Sequence, residues 1–430
     1  MFLRLIPLGV LCALTGFGTH PVSAIAAAES TALSAAESVL TLEEALARTL
    51  RTNPILTVAT EERYAAEAEH RRAGRLPNPE LTVTLENVAG EGAYKDTDAA
   101  ELTIALSQPV ELGGKRHLRR EAAELGRQLA ANGEQLTRID VLATTRQRYI
   151  AVQAAQEGLV LAKEQATLAG KSLAAAEERI KAGKAPQIDR LRLQGEASMT
   201  LLAVAQAERA LETSRQDLAA CWGVSSADFI RVDGEFSQLP DLPALTDIEA
   251  SQEQTPEATN RRLATELRSN ELAQAKARRI PDPSLTVGWR QFEESDEHAW
   301  LFGVSFPLPL FNQGQDELVA ASSRLNGAKA RELNARTQAR SSLRSVWYAL
   351  ANAKAEAEVL VNQVVPAAVE GFAAADFGYR AGKFGLIELL DAQKALFETR
   401  QRQLAAQVAC HLAAIELQRL QGIEAGAATP

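Results

Sequence analysis

The chain predicts a mainly α-helical fold with a small β part, built as two similar halves. Three observations carry that prediction. Two turn signatures, Arg179–Gln194 (RIKAGKAPQIDRLRLQ) and Gly378–Gln393 (GYRAGKFGLIELLDAQ), match around Ala182-Gly183-Lys184 and Ala381-Gly382-Lys383. Two Pro-x-Pro-x-Leu entries, Pro77-Asn78-Pro79-Glu80-Leu81 and Pro281-Asp282-Pro283-Ser284-Leu285, each precede an alternating apolar/polar stretch. Long intervening segments carry apolar residues in steps of three and four, the spacing of packed helices.

The first stretch, MFLRLIPLGVLCALTGFGTHPVSAIA, reads as a secretory signal over residues 1–26: an early Arg4, an apolar run, and small residues at the cleavage region. Past it no apolar run reaches the roughly 18 residues of a membrane-spanning helix. Thr41 with Glu44 forms a capping-box start for a short helix ending near Asn53-Pro54. A second helix runs to about Gly74. Strands are expected at about 80–88 and 100–108, because Leu81, Val83 and Leu85 alternate with Thr82, Thr84 and Glu86, and Leu102–Ser107 alternates likewise.

A long helix then runs from Gly114 to Ala182, turns at a tip over 182–186, and returns to Trp222; with the preceding elements this makes a first half, 27–222. Glycine suits such a tip because it takes positive φ at little steric cost. Residues 223–255, with Pro240 and Pro243, join the halves as a small side structure. The second half, 256–422, repeats the plan, with strands at about 284–292 and 299–306 and a tip at 381–385; residues 423–430 are a tail. Its long helix carries Ala339, Leu343, Val346, Leu350, Ala353, Ala357, Leu360 and Val364, and Pro366 should kink it. Each long helix would span on the order of 100 Å at 1.5 Å per residue.

Composition narrows the function. With 55 Asp and Glu against 46 Lys and Arg, the net charge is −9, which argues against a nucleic-acid partner. The cysteines past the signal, Cys221 and Cys410, have no metal-knuckle spacing, and neither do His70, His117, His298 and His411. No nucleophile elbow, phosphate loop or dinucleotide fingerprint occurs, so no enzyme, no catalytic residue, no cofactor and no metal site is predicted.

The strands have the length of tilted membrane-spanning strands, and Trp300, Phe302, Val304 and Phe306 set up one apolar, lipid-facing stripe. Four strands cannot close a barrel, and an open edge does not survive in lipid, so several chains must contribute; three would give twelve strands. A soluble sheet attached to coiled coils is the other reading of the same pattern.

From Leu40 to Gly422 the chain resembles the TolC family of outer-membrane efflux channels, on the doubled helix–strand–strand–helix–helix order, the Pro-x-Pro-x-Leu entries and both Ala-Gly-Lys tips. Ser107-Gln108-Pro109-Val110-Glu111-Leu112-Gly113-Gly114-Lys115-Arg116 and Phe306–Gly314 look like the cobalt–zinc–cadmium-type members, which serve heavy-metal exporters. The resemblance implies a homotrimer in the outer membrane of a Gram-negative bacterium. Its twelve-stranded β-barrel would be continued by a periplasmic α-helical barrel whose tips engage an adaptor protein and an inner-membrane pump of the resistance–nodulation–division type. It implies a gate with Glu388 and Asp391 as pore carboxylates and Tyr379 linked to Asp189. A more ordinary reading of these acids is helix-start charge. Where the family has a locking arginine, this chain has Phe384. Arg179, Gly183, Lys184, Arg380, Gly382 and Lys383 are the expected adaptor-docking residues. Three functions remain open: a duct for divalent metal cations, the same duct for drugs or small organics, and a soluble periplasmic scaffold.

Overall fold

A computed structural model describes residues 39–234 and 236–424. The expected signal, 1–26, and most of the tail lie outside the described residues. The chain runs β1 (Val39–Leu40), α1 (Leu42–Thr52), α2 (Pro54–Ala73), β2 (Glu80–Glu86), β3 (Glu101–Pro109), α3 (Lys115–Lys181) and α4 (Gln187–Ala219). It continues through β4 (Arg231–Val232), α5 (Leu245–Ser251), α6 (Pro256–Arg278), β5 (Ser284–Phe292), β6 (Glu297–Ser305) and α7 (Gln315–Val359). A π-turn (Leu360–Val364), α8 (Val365–Arg380) and α9 (Leu386–Leu420) complete it.

The helix starts follow their local chemistry. Thr41 caps α1, its hydroxyl accepting the Glu44 amide at 3.2 Å, and Glu44 itself binds Arg48 rather than reaching back. Asn53 caps α2 with Pro54 in the first turn, where its missing N–H costs nothing. α3 runs 67 residues without a break. It packs along α1, α2, α4, α6 and α9, while α7 packs on α6 and α9. The interior of this bundle is narrow and mostly alanine and leucine, so buried residues recur as a stripe: Leu343, Leu350, Ala357 and Leu360 on the second long helix.

That stripe departs from expectation at one point. Val364 is exposed, because the chain inserts a π-turn before Pro366. Pro366 has no N–H and its ring crowds the preceding turn. The Val365 amide therefore bonds back five residues to Leu360. The wider turn rotates Val364 off the packed face, so the proline acts through a π-bulge rather than a bare kink.

At mid-height a compact cluster, Leu40, Tyr149, Val152, Leu218, Trp222, Phe229 and Val232, fastens the joining segment to the bundle. Tyr149 Oη donates to the Leu40 and Asp233 carbonyls, at 2.9 and 2.7 Å alternatively, and β1 pairs in parallel with β4. Cys410 is buried in a second cluster with Leu343 and Leu417, Cys221 packs half-buried beside Trp222, and both are free thiols.

The four long strands form one antiparallel sheet in the order β2-β3-β5-β6. Its junction with the helices is clamped across the halves. Lys115 Nζ donates to Asp282 at 2.7 Å and to the Ile280 carbonyl, and Asp282 also accepts the Leu112 amide at 2.8 Å. Gly113 sits at φ +68, where a Cβ would lie 2.7 Å from Ile280 Cδ1. Gly113→Ala should therefore destabilise the fold by about 1–3 kcal/mol, from left-handed backbone strain plus overpacking. Thermal unfolding of the purified protein checks this, with Gly183→Ala, where the added Cβ meets nothing, as the strain-only reference.

Candidate functional site

The residues singled out by sequence collect in two places, the hairpin tips and the sheet. Both tips are built alike. α3 ends with Gly183 at φ +67, the Lys184 amide bonding the Arg179 carbonyl at 2.8 Å and the Gly183 amide bonding Ile180 at 2.9 Å. α8 ends with Gly382 at φ +74, Lys383 bonding Gly378 at 2.8 Å and Gly382 bonding Tyr379 at 3.0 Å. Each is a Schellman closure, in which a left-handed glycine lets the last carbonyls find partners.

The tips differ in what fills them. Tyr379 is 1% exposed, packed among Ala176, Leu193, Leu386 and Leu389. The guanidinium of Arg179 lies 4.3 Å above its ring and also donates to the Tyr379 carbonyl, so the first hairpin grips the second. Within the chain the expected Tyr379–Asp189 link is not made: the ring is sunk among leucines and its hydroxyl has no hydrogen-bond partner among the described residues. Burial pushes the phenol above its ordinary range, with Asp189 adding to that and Arg179 opposing it.

Phe384, expected to stand where the family has a locking arginine, makes an apolar contact within the tip. Its ring lies against Gly378, where a Cβ would stand 2.1 Å from Phe384 Cδ2. Sequence reasoning missed this use of Gly378, and it also missed Gln393, which is 3% exposed with neither amide atom partnered among the described residues. The repeated Gln194/Gln393 pair was the available signal.

Asp189 and Glu388 occupy equivalent places in the first turns of α4 and α9. Glu388 and Asp391 are exposed, one turn apart, and the Glu388 carboxylate hangs over Gly385. Of the expected docking residues, Gly183, Lys184, Gly382 and Lys383 are exposed, Arg380 pairs with Asp376 at 3.0 Å, and Arg179 is committed to the chain's own tip.

The sheet has two unlike faces. Register puts Leu81, Val83, Leu85, Leu102, Ile104, Leu106, Leu285, Val287, Trp289, Trp300, Phe302 and Val304 on one side. Ten of these are exposed, Phe302 by 79%, with nothing among the described residues packed over them. Phe306 lies just past the end of β6 and is exposed too. The opposite side carries Thr82, Thr84, Thr103, Ala105, Ser107, Thr286 and Gly288. It also holds Glu86, Glu101 and Arg290, with Arg290 donating to Glu101 and to the Thr103 hydroxyl, both at 2.8 Å, and approaching Glu86 at 3.3 Å.

The histidines take structural places where a partner is seen: His411 bonds the Phe236 carbonyl at 2.9 Å and stacks on that ring. Among the described residues no three His, Cys, Asp or Glu side chains gather as a metal-holding group, and no helix is long and apolar enough to cross a membrane.

A family model described as "Outer membrane efflux protein" matches residues 42–224 and again 242–423. The chain belongs to that family. It is 32% identical over 383 residues to the cobalt-zinc-cadmium resistance protein CzcC of Cupriavidus metallidurans, covering 89% of this chain and 90% of CzcC. It is 27% identical over 300 residues to the nickel-cobalt-cadmium resistance protein NccC of Alcaligenes xylosoxydans xylosoxydans, covering 70% of this chain and 68% of that one. In fold it matches the outer membrane protein VceC of Vibrio cholerae, with a TM-score of 0.76 at 17% identity over 89% of this chain and 96% of VceC.

Two substitutions separate the tip's contacts. Tyr379→Phe removes a buried hydroxyl that has no partner, so stability should hold or rise slightly. Arg179→Ala strips the cover from the ring and should cost about 1–2 kcal/mol from the cation–π and hydrogen-bond contacts together. Limited proteolysis at the two tips reads both; a Tyr379→Phe tip cut faster than wild type would mean the hydroxyl is bonded after all.

Proposed function

We propose that this outer membrane efflux protein is the outer-membrane duct of a tripartite heavy-metal exporter, passively conducting divalent cations. The observation that carries the reading is the two-faced sheet. Leaving a large apolar side chain in water forgoes about 1.5–3 kcal/mol of burial, and a soluble sheet would not leave ten on one face. Apolar-out and polar-in alternation is what a strand needs between lipid and a watery lumen. The same geometry disfavours the soluble scaffold.

The sheet's two outer strands, β2 and β6, each leave an unpaired edge, which lipid does not tolerate. Three copies supplying four strands each would pair every edge in a twelve-stranded barrel. The two separate matches to one family model support the doubled plan of the chain. In that assembly the helices continue the duct through the periplasm. Gly183, Lys184, Arg380, Gly382 and Lys383 present the adaptor-docking surface, and a resistance–nodulation–division pump supplies the energy. Glu388 and Asp391 form stacked carboxylate rings that favour cations over anions. Asp189 in that trimer can meet a neighbouring chain's tip, which the single chain does not reveal. The metal cargo follows the names of CzcC and NccC.

The duct predicts heat-modifiable trimers in the outer-membrane fraction, and recovery as a soluble monomer overturns it. Phe302→Arg should abolish membrane assembly, since an arginine facing lipid costs up to about 2–4 kcal/mol per strand. A deletion strain should lose resistance to cobalt, zinc and cadmium salts while keeping drug resistance; the opposite pattern assigns organic cargo to the same duct.

A further inference from the structure

All the ionised side chains of the four long strands lie on the polar face. β2, β3, β5 and β6 contain Glu80, Glu86, Glu101 and Glu297 as carboxylates and Arg290 as the one Lys or Arg. Register puts all five on the side opposite Trp289 and Phe302. Glu86 and Glu101 are direct cross-strand partners near the end of the sheet that carries the loops, away from the helices. Cross-strand side chains on one face stand about 4.5–5.5 Å apart at Cβ, and like charges so placed repel. Two opposed carboxylates are also the start of a divalent-cation site, since hard cations take oxygen ligands.

Arg290 answers both problems. It faces Thr103 across the β3–β5 pair, one same-face step from Glu101. Its Nη1 donates to Glu101 at 2.8 Å, its Nη2 approaches Glu86 at 3.3 Å, and its Nε donates to Thr103 Oγ1 at 2.8 Å. The Asn87 amide holds the other Glu101 oxygen at 3.1 Å. The guanidinium fork thus occupies the position a bound cation would take, with a fixed charge that cannot leave. It is partly exposed, so it remains part of the face's electrostatics.

We propose that Arg290 is a specificity-determining residue of the duct's outer mouth: it fills the Glu86–Glu101 carboxylate pair so that an exported divalent cation is attracted by the acidic face but not retained there. This rests on the duct reading given above. Conduction needs binding favourable enough to enter and weak enough to leave. Glu80 and Glu297 keep the face net acidic, while Arg290 keeps the cross-strand pair Glu86 and Glu101 from closing on a metal. Lysine would keep the charge but not the fork that reaches both acids.

The test is single-channel recording of purified trimers in planar bilayers, in a Glu388→Gln/Asp391→Asn background that silences the tip carboxylates. Arg290→Gln should raise the cation-over-anion permeability ratio by about twofold or more, the effect of one unit charge a few ångströms from the path in a watery lumen. It should also introduce block by millimolar cobalt(II) added from the loop side, a block absent with Arg290 and lost again in Arg290→Gln/Glu101→Gln. Arg290→Lys should show weak block. Conducting Arg290→Gln pores with unchanged selectivity and no cobalt block overturn the inference and leave the duct standing; no conducting pores from any form, wild type included, overturn the duct itself. If Arg290→Gln alone fails to insert, Glu86→Gln with Arg290 kept should lower the cation preference by about twofold, and an unchanged ratio there also overturns the inference.

Discussion

Everything in this chain answers to the sidedness of one four-stranded sheet. Period-two alternation puts twelve large apolar strand residues on one face and every Glu and Arg of the strands on the other, where only Phe292 and Leu301 are large and apolar, and the register holds across three strand pairs. A slip of one residue in any strand would send large apolar side chains to the polar face and a glutamate or arginine to the apolar one. The register is therefore pinned at the helix-proximal end, where errors would begin. Lys115, Asp282 and the Leu112 amide tie the start of α3 to the entry of β5, and Gly113 lets Ile280 close in where any side chain would hold it off. Burial pushes the Asp282 carboxyl up, yet its bonds to Lys115 and Leu112 bring it below its ordinary range, so this clasp stays ionised under ordinary conditions.

The helices solve a different problem. A bundle this long has little interior per residue, so it cannot rely on aromatic bulk. It uses alanine and leucine at three- and four-residue steps, with arginine–carboxylate pairs between neighbouring helices, such as Arg419 with Asp140 and Arg400 with Glu164. Exposed pairs of this kind contribute little each. The stripe sets the register, and the two long helices need not be identical: α3 runs unbroken, while its counterpart carries the π-turn ahead of Pro366.

Most of the architecture was legible in the sequence for a physical reason. Strand alternation, proline entries and glycine tips are local signals, and the local structure follows them. Phe306 was placed in the last strand and falls one residue beyond it, and Val364 was placed in the stripe and is turned out of it. Both misses lie next to prolines, where hydrogen bonding changes over a turn. The tip was harder. That Arg179 would cover Tyr379 from 200 residues away, or that Gly378 exists to admit the Phe384 ring, depends on how two hairpins pack, and periodicity carries no such information. The acids at the starts of α4 and α9 were legible as residues and not as partners, because a charge in a helix's first turn looks the same whether it serves the helix dipole or a pore.

The tip and the mouth of the sheet use arginine in opposite ways. Arg179 is spent on packing: it stacks on an aromatic ring and bonds a backbone carbonyl, so its charge joins two hairpins. Arg290 is spent on charge: its fork is divided between two carboxylates and a hydroxyl on an open face. Between the two hairpins the tip is joined by the apolar cluster around Tyr379 and by the stack and hydrogen bond of Arg179. Apolar packing is insensitive to salt, whereas attraction between exposed charges weakens with it, over a Debye length of about 10 Å at 0.1 M. The metal duct proposed above would gain from that division. In that duct the hairpins would be held together by packing that salt does not screen, and the wall proposed to pass the cargo would keep its acids while Arg290 covers the Glu86–Glu101 pair.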